Sequence, residues 1–311
     1  MKATTRIATL DFYPRANPRL RLFALWYFTV LMTVWWIGGI LFLGFEQSWA
    51  QFALGAGTAI VLQFVLMWVH VKSHDLSPPY AGGFWPLVNF LIPAYLPGIA
   101  VTMLLYPNER LMPVVFAAAL AICSKAIFRA PVAHGTQHFL NPSNFAISVT
   151  LLVFADVGLA PPYQFTANIV GIWDWALPAG ILLSGIIVHA VSTARLPLIL
   201  AWLAAFVLQA FIRSQMFDAP LLPMLVPMTS VAFILFTLYM VPDPGTTPLR
   251  FDGQIAFGIA VAAVYGVLQS NHIVYGLVLS LTIVCGVRGA WMYLSHLRSR
   301  TAELPARVPG E

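Results

Sequence analysis

An all-α polytopic membrane protein of about ten transmembrane helices is the fold class this sequence predicts, and three observations predict it. The chain is 60% hydrophobic and only 9% charged, whereas charged residues make up about a quarter of an ordinary soluble domain, so lipid must solvate most of it. Its apolar residues fall in runs of membrane length, because about 20 residues of helix cross a hydrocarbon core of about 30 Å. Its positive charges gather in alternate connections between those runs, as they do in a chain with a retained and a translocated side.

The runs lie at about 22-43, 50-71, 85-106, 111-128, 143-160, 173-192, 196-216, 223-242, 254-270 and 272-294. A single transmembrane domain over 22-294 therefore fills the chain, flanked by a cytoplasmic N-terminal segment 1-21 and a cytoplasmic tail 295-311 that is polar and expected to be disordered after Arg298. The runs near 111, 143 and 254 are short, so nine spans or a re-entrant segment is the alternative count. Trp26, Trp49, Trp85, Trp173, Trp175 and Tyr293 sit near predicted ends, where amphipathic rings prefer the headgroup layer. The N-terminal stretch carries basic residues but no short apolar core with a small-residue cleavage site, which argues against a removed signal peptide. Arg15 to Arg21 reads instead as a cytoplasmic anchor for the first span.

Orientation follows from the positive charges. With ten spans and the N-terminus inside, fourteen of the sixteen lysines and arginines lie on the inner side, and only Arg110 and Arg213 lie outside. This predicts a bacterial inner-membrane protein with both termini cytoplasmic, since positively charged loops are retained. The net charge of +5 is thus a topology signal. No basic patch interleaved with aromatics is present to hold phosphates, so nucleic acid is not expected as a partner. Cys123 and Cys285 lie inside apolar runs without metal-ligand spacing and read as small buried hydrophobes.

Splitting the ten runs five plus five gives candidate repeats at 22-160 and 173-294. Pro86, Pro93 and Pro97 fall in the third run and Pro223 and Pro227 in the eighth, where proline should break or kink a span. The fifth and tenth runs both open after Ser-Asn, at 143-144 and 270-271. Interrupted helices at corresponding places in two inverted halves point to a site near the membrane midplane.

Two stretches are too polar to be mere connectors: RAPVAHGTQHFLNPSNF (129-145) and MVPDPGTTPLRFDGQ (240-254). In the first, Asn141 can cap a helix, Pro142 suits its first turn, and the free N–H groups of Ser143, Asn144 and Phe145 form a receptor for an anion or a polar ring. The plain alternative is an ordinary helix cap with Asn144 solvated. In the second, Asp243, Thr246 and Thr247 place side-chain oxygens on a proline-braced turn. His134 and His138 are four apart, His70 and His189 sit near inner span ends, and His272 opens the tenth run. No pair is placed on facing helices at matched depth as a membrane haem requires. Lys125, Arg213 and Arg288 lie near span ends, and Arg288 calls for a partner such as Asp243 or Asp252.

These residues carry a pattern. HFLNPSNF (138-145), FTLYMVPDPGTTP (236-248) and NHIVYGLVLSLTIVCGVRG (271-289) resemble the RnfD/NqrB family of membrane electron-transfer subunits, and most of all its stand-alone branch, which includes membrane proteins of enediyne gene clusters. The resemblance implies two inverted five-helix repeats, as in urea and ammonium channels, with flavin among the helices. It implies that Asn141, Pro142, Ser143, Asn144, Asp243, Thr246 and Thr247 line a cytoplasmic-side flavin site. It also implies electron transfer coupled to sodium or proton movement, beside other membrane or redox subunits. Respiratory members attach FMN through a Ser-Gly-Ala-Thr motif in the outer loop, where this chain has ADVGLAPPYQFTANIVGIWDW with Thr166 as its threonine of comparable place. Non-covalent riboflavin or FMN is therefore the expected cofactor, and no metal is. A cofactor-free channel or transporter, or an accessory scaffold subunit, is the alternative function.

Overall fold

A computed structural model describes residues 18–132, 135–161 and 164–303. Residues before Pro18, His134, and the tail beyond Glu303 with Pro305 and Pro309 lie outside the described residues; Arg19 and Arg21 of the expected anchor open the first helix, and the start of the expected disordered tail, up to Glu303, is helical instead. Helix α1 (Pro18–Gly38) runs into a π turn (Gly39–Leu43), and is followed by α2 (Trp49–His74), α3 (Phe84–Leu104), α4 (Met112–Ile127) and α5 (Pro142–Val153). Helix α6 (Trp173–Val188) also ends in a π turn (His189–Thr193) and leads to α7 (Leu196–Met216). Two short helices, α8 (Leu221–Leu225) with a 3-10 turn (Val226–Thr229) and α9 (Val231–Leu235) with a π turn (Phe236–Met240), precede α10 (Phe251–Ser270) and α11 (Gly276–Glu303). Two antiparallel pairs of short strands tie loops together: β1 (Leu105–Tyr106) with β4 (Gly158–Leu159), and β2 (Arg129–Val132) with β3 (Gly135–His138). The chain is a helical, multi-pass, membrane-type protein as expected.

The span count differs from the expected ten. Every apolar run carries helix, but among the described residues seven helices are long and apolar enough to cross a membrane, or eight if the pair Leu221–Thr229 and Val231–Met240, bent by 70°, counts as one. At 1.5 Å per residue, α4 with 16 residues and α5 with 12 reach only about 24 and 18 Å, short of a hydrocarbon core of about 30 Å. Proline acts differently in the two halves. The eighth run breaks at Ser230, just after Pro223 and Pro227, whereas α3 stays one helix through Pro93 and Pro97. The Ser-Asn correspondence also dissolves. Ser143 and Asn144 lie in the first turn of α5, but Ser270 ends α10 and Asn271 follows it. His272, at φ 59°, sits in the turn before α11 and not in the helix.

Local chemistry accounts for the helix starts. Ser48 and Gln51 form a reciprocal capping box on α2, and Ser230 caps α9 by accepting from the Phe233 N–H. Close packing needs small residues. A Cβ on Gly98 would stand 2.8 Å from the Gly55 carbonyl oxygen, so α2 and α3 touch backbone to backbone. Trp202 of α7 is fully buried and donates to Thr237 Oγ1 at 2.9 Å, which anchors the broken α8–α9 segment. Large apolar side chains such as Val34, Phe42, Val61, Trp68, Leu183 and Val287 are exposed on outward faces, as lipid contact requires. Trp85, Trp173 and Trp175 are exposed near helix ends.

Inside, one core joins α4, α5, α7, α10 and α11 around Trp202, Phe206 and Ile147. A second joins α1, α3, α6 and α9 around Trp36, Ile99 and Ile181. Between them lies a cavity.

Candidate functional site

Three prolines shape this cavity by what they lack. Proline has no N–H, so each one inside or just after a helix leaves the carbonyl four residues earlier without its helical donor. Pro97 frees the carbonyl of Pro93, Pro242 that of Leu238, and Pro244 that of Met240. Each carbonyl is met by a polar side chain from elsewhere in the chain: Lys125 Nζ donates to Pro93 O, His189 Nε2 to Leu238 O at 2.6 Å, and Asn141 Nδ2 to Met240 O at 3.0 Å. Because Leu238 O only accepts, Nε2 carries the imidazole proton, and Nδ1 accepts from Thr193 Oγ1 at 2.7 Å. All three side chains line the cavity.

The cavity measures about 170 Å³ and is mostly apolar along α1 and α3, where Phe28, Leu96 and Ala100 face it. Phe28 packs against Tyr239 and His189, with ring centroids 5.4 and 5.9 Å apart. Its polar end is built from the start of α5, the turn after α6 and the turn after α9, through Asn141, Ser143, Arg195 and Asp243.

Of the residues singled out in the sequence, Asn141, Pro142, Ser143 and Asp243 meet at this cavity although a hundred residues separate the two stretches. Asn141 is an N-cap, its Oδ1 accepting from Asn144 N at 3.0 Å and Ser143 Oγ at 3.1 Å, while its amide nitrogen reaches Met240. Asn144 is buried, 1% exposed, but faces away from the cavity: its Nδ2 donates to Val278 O at 2.8 Å and Thr282 Oγ1 at 2.9 Å on α11. Thr246 and Thr247 are buried and serve Asp243. Thr246 Oγ1 donates to Asp243 Oδ2 at 3.0 Å, and Thr247 Oγ1 to the Asp243 carbonyl at 2.7 Å. Thr247 also borders a second hollow beside Gln137, Arg250 and Arg288. Arg288 finds no carboxylate partner of the expected kind. It donates to the Thr246 carbonyl at 2.9 Å, while Asp252 pairs with Arg250 at 3.1 Å.

The hairpin β2–β3 closes over the turn, Gln137 Nε2 donating to Gly245 O at 2.5 Å. A Cβ on Gly245 would stand 3.0 Å from His138 Nε2, so the turn and the imidazole approach closely. Burial, with the charges of Lys125 and Arg129, pushes His138 down to about 3, so it is neutral. Burial raises the Asp243 carboxyl, opposed by hydrogen bonds from Gly245 and Thr246 and by the charges of Lys125 and Arg195. Burial lowers the Arg195 guanidinium to about 10, against the pull of Asp243, and it stays charged at neutral pH.

No family model matches the chain, and no curated protein matches it. Among the described residues no cluster of three or more His, Cys, Asp and Glu side chains could hold a metal. Lys125, His138, His189 and Arg195 were legible in the sequence only as interfacial or topological residues. The signal for them was polarity out of place: HAVSTAR (189-195) puts a histidine, two hydroxyls and an arginine at the end of an apolar run.

Proposed function

We propose that the chain is a flavin-binding membrane electron-transfer subunit of RnfD/NqrB type in the bacterial inner membrane, its termini cytoplasmic, working beside other redox or membrane subunits. The observation that carries this reading is the meeting of the Asn-Pro-Ser start of α5 with Asp243 at one cavity that is apolar along one side and polar at one end. A flavin ring has that same division, and it supplies the electron chemistry when bound while the protein supplies orientation and electrostatics.

The residues present fit such a ring. Asn141, Pro142 and Ser143 would meet its polar edge, Asp243 would accept hydrogen bonds, and Phe28, Leu96 and Leu238 would pack its faces. Thr246 holds the Asp243 carboxylate, Thr247 holds the Asp243 backbone carbonyl, and Asn144 holds α5 to α11. Attachment is non-covalent, riboflavin or FMN, because the Ser-Gly-Ala-Thr motif is missing. Two five-helix inverted units, ten helical segments with the bent pair as one, are part of this proposal. In their support, α1 and α6 each end in a π turn, and α2 packs on α4 and α4 on α5 as α7 packs on α10 and α10 on α11.

A cofactor-free transporter is the second reading, favoured by the 70° break beside the cavity. The visible absorption spectrum of the detergent-purified protein, before and after acid precipitation, separates the two. A flavin spectrum released into the supernatant supports the first. A folded, colourless protein that takes up neither riboflavin nor FMN overturns it.

A further inference from the structure

Arg195 is the most unusual group in the molecule. It is 2% exposed and lines the cavity, yet among the described residues its guanidinium makes neither a hydrogen bond nor an ion pair, and its Nε is fully enclosed without a partner. Arg110 pairs with Asp156 and Arg250 with Asp252, both elsewhere. The groups around it balance it only in part. Lys125 adds a second cation to the cavity wall, Arg288 adds a third close by, and His189 is committed to Leu238 and Thr193. Asp243 is the one carboxylate in the wall; its charge pulls on Arg195 without forming an ion pair with it, and its oxygens accept from Gly245 N and Thr246 Oγ1 at 3.0 Å each. Ser192 Oγ, also in the wall, is buried without a partner.

A buried cation with no bonded counter-ion is costly, and guanidinium geometry suits carboxylates and phosphates. We propose that this cavity binds a ligand with an oxyanion head, a carboxylate or phosphate, on an apolar body, the head seated against Arg195 and Ser192 and the body along Phe28, Leu96 and Ala100. The inference goes beyond the flavin reading, since it requires an anionic group and not a particular ring. The head can come from a soluble phosphate ester such as FMN or from an anionic lipid.

The test uses the full chain in neutral detergent and measures binding and thermal midpoint with matched probes: FMN against riboflavin, and phosphatidylglycerol against phosphatidylcholine. The anionic member of at least one pair binds roughly tenfold or more tighter than its neutral counterpart, as a charge-assisted contact implies. Arg195→Gln abolishes that preference, Arg195→Lys keeps part of it, and Ser192→Ala weakens it a few-fold. Without ligand, Arg195→Gln has a midpoint no lower than the parent, because it removes a cation with no bonded counter-ion. A structural arginine tied to Asp243 predicts a clear fall instead. Preference within the flavin pair assigns the head to a soluble phosphate, and preference within the lipid pair to a headgroup. If neither flavin binds while phosphatidylglycerol does, the flavin reading falls and this one stands. Equal binding within both pairs, a preference that survives Arg195→Gln, or a lowered midpoint of the ligand-free variant overturns it.

Discussion

Asn141 performs two separable tasks, and two substitutions pull them apart. Its Oδ1 caps α5 through Asn144 N, and its Nδ2 supplies the donor that Pro244 denies to the Met240 carbonyl. Asn141→Ser keeps a good cap but is too short to reach Met240, so it loses only the cross-link, about 1 kcal/mol for one hydrogen bond. The membrane average for such bonds, about 0.6 kcal/mol, sets the lower bound. Asn141→Ala loses the cap as well, a further 1 kcal/mol or so, for a total near 2 kcal/mol. Equilibrium unfolding in mixed micelles, followed by tryptophan fluorescence, measures both. Trp202 is a suitable reporter because it bonds Thr237 of the same broken segment that Met240 ends. The expected order is parent, then Ser, then Ala, in two similar steps. A serine variant as stable as the parent would show that the tie between α5 and the broken segment carries no energy, and the account of the freed carbonyls would fail.

Gly98→Ala should destabilise by about 1 to 3 kcal/mol through overpacking, its Cβ pressing on the Gly55 carbonyl, while Gly57→Ala, with open space around it, should stabilise α2 by up to about 1 kcal/mol; thermal unfolding of the pair checks the contrast, and equal effects would refute it. His138 binds its proton at about 3 in the fold against an ordinary 6.5, so the unfolded chain holds more protons between those values and stability rises with pH across that window. Acidifying from about pH 7 to about pH 5 should therefore cost about 2 kcal/mol through this group. His138→Gln should flatten the pH profile of the midpoint, and an unchanged slope would count against the buried neutral imidazole. In a background lacking Cys123 and Cys285, Val170→Cys, at an 81% exposed position, should react with an impermeant thiol reagent in intact cells, and Leu249→Cys only after permeabilisation. The reverse pattern would invert the proposed topology.

Composition and hydropathy alone determined the membrane class, the helical content and the place of every apolar run, because burial of backbone polar groups in lipid admits few alternatives. The cap at Asn141 was local enough to be read from a few adjacent residues, and so was the break in the eighth run, which Pro223 and Pro227 announce. Other features depended on partners far along the chain. Whether α3 tolerates Pro93 and Pro97 turns on donors such as Lys125 that reach it only in three dimensions. Asn144 reads as a site residue in the sequence because it sits in the motif, but a helix turns by 100° per residue, and that rotation points its amide at α11 while Asn141 and Ser143 face the cavity. Arg195, counted in the sequence as one more inner-side positive charge, became a buried wall cation with no bonded counter-ion only once α3, α5, α6 and α9 had packed around it, since electrostatic solvation depends on what surrounds a charge and not on its place in the chain.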